Sequence, residues 1–215
     1  MAQITPTEER ALEEFGSVEP TSQPIVLFPE GKLVVRLHSF SRNECQSFLV
    51  SGEVLKLASE VLKNRITELQ NPASGRCSYL NIFAHETEFL AVILRLLHHQ
   101  DSVLSEPNDL QFLAKVAIYA QRYKLERAMK PWFVYRLEMM HVTADDAATI
   151  GFELLILHIV GGEVPTRKFA NTTLRAAKLL DPSFRDIWSK TSPLDAFPPF
   201  LQSMSLRFLL RTCSS

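Results

Sequence analysis

The sequence is short of the features that carry most familiar chemistries. Cysteine occurs three times, at Cys45, Cys77 and Cys213. The number is odd and the spacing matches no ligand pattern, so a disulfide framework is not expected and a reducing compartment is. Neither charge sign dominates: 23 Lys+Arg against 24 Asp+Glu leave a formal net charge of -1. Chains devoted to nucleic acid or anionic membrane usually carry a basic excess, so neither partner is expected. The opening residues, MAQITPTEERALEEF, hold no apolar signal core. The most apolar run, Ile150 to Val160, contains Glu153 and His158 and is shorter than the ~20 residues that span a bilayer. A soluble protein of the cytoplasm or nucleus is the expectation.

Glycine is also sparse, with 7 in the chain. None sits in a Gly-Lys-Ser/Thr phosphate loop, a Gly-x-Gly-x-x-Gly turn or a Gly-x-Ser-x-Gly elbow. His98 and His99 are adjacent on a predicted helix and diverge by about 100° around its axis, which does not suit shared ligation of one ion. Cys77 and His85 flank a predicted strand, but a zinc site needs three or four ordered ligands. Asp145 and Asp146 fall at a helix start, where carboxylates favour the positive end of the dipole. Arg122, Lys124, Arg127, Lys130 and Arg136 alternate with Glu126 and Glu138, the pattern of a solvated face. No catalytic residue, cofactor or metal is expected.

What is present is a core: 46% of the residues are apolar and 22% charged. Residues 1–24 read as a mobile N-terminal tail with three prolines. LVVRLH (33–38), Phe48 to Val50 and YLNIFA (79–84) have strand character. Between the second and third of these, SFLVSGEVLKLASEVL switches period. Its apolar residues from Val54 onward, at 54, 57, 58, 61 and 62, predict one helix from Glu53 to about Ile66. Ser51 is its expected cap, and Gly52 is expected to relieve crowding in a tight turn. Helices follow over about Thr87–His99, from Leu110 with Asn108 or Asp109 as cap, and over Glu126–Met140 with Pro131 inside or in the first turn. Another opens at Thr143-Ala-Asp-Asp146 and stops at Gly161-Gly162. Residues 166–180 and about 200–209 complete a helical tail. The fold class is therefore α+β, with a small three-stranded sheet and a cluster of helices over 25–140, followed by an all-α C-terminal extension over 141–215.

Several residues carry a resemblance. Phe48, Leu55 and Ser59 have the spacing of a Phe-x-x-His…Leu…Ser…Phe pattern, with Ser51 in the His position and Leu62 in the last Phe position. Leu94-Arg-Leu-Leu-His-His-Gln100 ends a long helix. Leu113-Ala-Lys-Val-Ala-Ile-Tyr-Ala-Gln-Arg-Tyr123 precedes Ala128-Met-Lys-Pro-Trp132, and GFELLILHIVGG follows. In this order, over about residues 25–180, they resemble the BTB/POZ fold, in particular fungal BTB-domain proteins.

The resemblance implies a non-enzymatic interaction module whose first long helix packs in the domain and also meets its copy in a homodimer. It implies a protein partner, as an adaptor of a cullin-type ubiquitin ligase or in a transcriptional complex. The candidate dimer or partner interface is Val54, Leu55, Lys56 and Leu62, with Trp132 and Phe133 as a second anchor. Core packing is the competing use of the two aromatics. Lys32 and Ser51 stand where the family often has the Asp and His of a charged pocket near the dimer contact. The alternative function is an enzyme or small-molecule binder with a site not visible as a motif.

Overall fold

The structure, a computed structural model, describes residues 23–42, 44–69, 78–100, 109–140, 147–160, 172 and 190–192. The chain divides into two compact units. One is Met1–Glu106 with Arg122–Ala128, and the other is Pro107–Gln121 with Met129–Ser215. The architecture is mixed α+β, with one four-stranded sheet and six helices among the described residues. The helix expected at 200–209, that at 166–180 apart from residue 172, the start at 143–146, the stop at 161–162 and most of the N-terminal tail lie outside the described residues.

The first unit is built on a sheet of order β1-β3-β2-β4. Its strands are β1 (Ile25–Val26), β2 (Leu33–Ser39), β3 (Glu44–Val50) and β4 (Ser78–Ala84). β2 and β3 form an antiparallel hairpin that sets Val35 opposite Phe48 and Leu33 opposite Val50. β4 returns parallel to β2, with Val35 beside Leu80 and Leu37 beside Ile82. Side chains alternate across a strand. One face is therefore Leu33, Val35, Leu37, Phe48, Val50, Leu80 and Ile82, all buried. The fourth strand, β1, is an addition to the three expected. It pairs parallel to β3 over two residues only, too few to leave an alternating pattern in the sequence.

Helices α1 (Gly52–Ala58) and α2 (Glu60–Leu69) connect β3 to β4, and they lie on this apolar face. A Cβ placed on Gly52 would be 3.7 Å from the Leu33 side chain and 3.9 Å from that of Ile66. The single helix expected from Glu53 to Ile66 is in fact broken at Ser59, whose φ of -144° and ψ of 124° are extended. Helix α3 (Thr87–Leu97) buries Phe89 to Leu94. It ends at His99, which takes a left-handed φ of 54°, with the His99 and Gln100 N–H groups closing onto the Leu96 and Arg95 carbonyls. This is a glycine-type helix stop made without glycine.

The remaining described helices are α4 (Leu110–Arg122), α5 (Glu126–Met139) and α6 (Ala147–Ile159). Asp109 is the α4 cap, accepting from the Phe112 N–H at 2.7 Å. Pro131 sits inside α5 without ending it. In the second unit α6 is apolar almost all round, with Ile150 and Leu154 to Leu157 buried, so it is a core helix rather than an amphipathic surface one.

Two glycines have opposite requirements. A Cβ on Gly31 would lie 2.4 Å from the Val50 carbonyl oxygen and 2.9 Å from that of Phe28, so the backbone approach needs glycine there. Gly52 has only ordinary neighbours, so the expected crowding at that turn does not exist. Gly31→Ala is expected to cost about 2 kcal/mol or more through steric overlap. Gly52→Ala is expected to stabilise by about 0.5–1 kcal/mol by restricting the unfolded chain. Urea unfolding of both variants measures the pair; equal effects of one sign would contradict the assignment.

Candidate functional site

The start of α1 is held by polar contacts of two kinds. The Ser51 hydroxyl accepts from the Val54 N–H at 3.4 Å, the cap expected from the sequence. The Ser51 N–H, in turn, donates to His98 Nε2 at 3.0 Å. Nδ1 of the same ring lies 2.8 Å from the Leu94 carbonyl oxygen, an acceptor only, so this nitrogen carries the proton. Both bonds therefore require the neutral ring protonated on Nδ1. Burial pushes His98 below the ordinary histidine range. His98 is thus a bridge from the end of α3 to the start of α1.

The end of α1 is fixed by Ser59. Its N–H donates to the Leu55 carbonyl, and its hydroxyl accepts from the Leu62 N–H at 3.0 Å. The same hydroxyl donates to the Tyr123 carbonyl at 2.5 Å, in the 122–128 segment of the same unit. One side chain thus closes α1, opens α2 and satisfies a carbonyl just beyond α4, where Lys124 is left-handed. Ser59 is buried, so an unmade bond there is not replaced by water.

Between these two fixings α1 has two faces. Leu55 is fully buried and points to the core, whereas Leu57 is 89% exposed. Val54 and Lys56 are half-buried, and Lys56 pairs with Glu53 at 2.9 Å. Four of the expected interface residues are placed inside the chain: Leu55, Leu62, Trp132 and Phe133 are all buried. A continuous 3.6-residue stripe would put 54, 57, 58, 61 and 62 together, but the break at Ser59 turns Leu62 inward and leaves Leu57 outside. Trp132 and Phe133 pack edge to face with ring centroids 4.9 Å apart, which is their core use. Of the expected set, Val54 and Lys56 alone border the surface, and Leu57, outside that set, is the apolar residue most exposed on α1.

The other face of the sheet is more polar than expected. Arg36 lies over the Tyr79 ring at 4.1 Å. His38 stacks on Phe83 with centroids 4.7 Å apart and has Nε2 3.3 Å from Asn81 Oδ1 and 3.8 Å from Cys45 Sγ. A cysteine beside a histidine raises the question of a nucleophile and its base. Burial pushes the Cys45 thiol up and His38 down, so both stay neutral. An activated pair needs the reverse, a depressed thiol and an accessible sulfur. Among the described residues no three His, Cys, Asp or Glu groups sit together as a metal would need, and no helix is long and apolar enough to cross a membrane.

Comparison with known proteins adds no assignment: no family model matches the chain, and no curated protein does.

Ser59→Ala removes the α2 cap and the bond to Tyr123 together and is expected to cost about 2 kcal/mol. Ser59→Thr, which keeps the hydroxyl, is expected to recover most of it. Chemical denaturation checks both; an alanine variant as stable as the parent would show that the break does not depend on this side chain.

Proposed function

We propose that the chain is a BTB/POZ-like, non-enzymatic interaction protein that associates with its own copy through α1 and brings a partner protein to a complex. Leu57 carries this reading. A leucine at 89% exposure, on a helix anchored at both ends, is an apolar group held out to solvent by rigid structure. The element order supports it as well. A β2–β3 hairpin, a helical connection, another strand and a further helix follow each other in the order from which the resemblance was drawn, with two helices where one was expected.

In a symmetric pair the same patch is covered on both copies. Burying the two Leu57 side chains contributes roughly 3–6 kcal/mol, at 1.5–3 for each. Association costs about 4–15 kcal/mol in lost freedom. Leu57 alone is therefore insufficient, and the contact must extend to Val54, one turn back on the same face, and to the aliphatic stem of Lys56.

The residues from 141 onward are proposed as an all-α extension that adds docking surface. The recruited partner is proposed, on the resemblance alone, to be a cullin-type ubiquitin ligase or a transcriptional assembly in the cytoplasm or nucleus. A shared fold does not by itself determine such a partner.

Sedimentation velocity at tens of micromolar tests the association. The parent chain is expected to sediment as a dimer or larger species, and Leu57→Glu as a folded monomer. Leu55→Glu is expected to unfold the chain instead, because it drives a charge into the core. A monomeric parent chain, or a Leu57→Glu protein that still associates, would overturn the proposal.

A further inference from the structure

The His98 bridge is conditional on protonation. In the folded chain Nδ1–H donates to the Leu94 carbonyl oxygen and Nε2 accepts from the Ser51 N–H. A second proton on the ring would sit on Nε2 and face the Ser51 N–H, donor against donor. Ser51 is the α1 cap, so the group displaced is the one that starts the helix. We propose that His98 is a protonation-sensitive latch on the start of α1, closed when the ring is neutral and released when it is charged.

The surroundings favour the neutral ring. Burial is the main cause that lowers its affinity for a proton, and the electrostatic effect of His99 beside it acts in the same direction. Arg95 lies in the last turn of the same helix. From α1, the charged residues are Glu53 and Lys56, which pair with each other. From β2, they are Arg36 and His38, which alternate onto the sheet face opposite to Leu33, Val35 and Leu37. The Leu94 carbonyl favours a charged ring but is already satisfied by the neutral one.

The sign follows. A histidine held below its unfolded value near 6.5 binds fewer protons folded than open. The latch is fully closed above that value and weakens as pH falls toward the folded pKa. His38 and His158 are also lowered by burial, so the global stability of the chain would not isolate this one ring. The latch involves the first unit alone and does not depend on self-association.

Nitrogen-detected ring spectra of the intact chain read the latch directly. At pH 7.5 the His98 ring is expected to be neutral with the proton on Nδ1, the less common tautomer. Below about pH 6.5 the Ser51 amide is expected to shift with the His98 midpoint. Its exchange protection, corrected for intrinsic rates, should fall by about tenfold per pH unit. In His98→Gln the pH dependence at Ser51 should vanish while the His38 ring still titrates. A proton on Nε2 at neutral pH, a Ser51 amide that ignores His98, or the same Ser51 profile in His98→Gln would each overturn the proposal. The first two need only the parent chain, so they stand even if the variant fails to fold.

Discussion

Val35 and Leu37 on β2, with Phe48 and Val50 beside them on β3, have no accessible surface; Gly52 at the start of α1 meets Leu33 at one end of this face, α2 packs beside β4 and α3 beside β2. Burial of such a row contributes roughly 1.5–3 kcal/mol for each large side chain, so the covering helices cannot drift without a large loss. Everything else in the first unit follows from keeping α1 and α2 seated. The close turn at Gly31, the cap at Ser51 and the hydroxyl of Ser59 all hold backbone that would otherwise splay away from the sheet.

The same seating gives α1 its two faces. A helix of seven residues is too short to be stable alone, so its order comes from its ends and from Leu55. Once it is ordered, Leu57 has nowhere to turn. The exposed leucine is thus a consequence of the geometry that buries Leu55, two residues earlier on the opposite side. Polar contacts at the helix ends are what make this a stiff surface rather than a collapsing one, which favours recognition by lowering the ordering cost of a contact.

Local signals in the sequence were good guides. The strand patterns at Leu33 and Tyr79, the caps at Ser51 and Asp109, and the helix from Thr87 each depend on neighbours within a few residues. What could not be read depends on distant partners. His98 meets Ser51 across 47 positions, and Ser59 meets Tyr123 across 64. Without that second bond the sequence around Ser59 reads as uninterrupted helix, because the apolar spacing carries straight through it. The break separates Leu57, which is exposed, from Leu62, which is buried. The two-residue strand β1 is held by its pairing to β3 and has no pattern of its own. Cys45 and His38 were unremarkable in sequence, and they become neighbours only through the β2–β3 register.

The central claim is that α1 is covered by a second copy of the chain. Hydrogen exchange measured by mass spectrometry across a range of protein concentration tests it most directly. Peptides covering α1 are expected to gain protection as concentration rises from below to above the association range, while peptides covering β2, already buried in one chain, stay unchanged. Protection of α1 that is independent of concentration, or a gain confined to some other segment, would contradict the account.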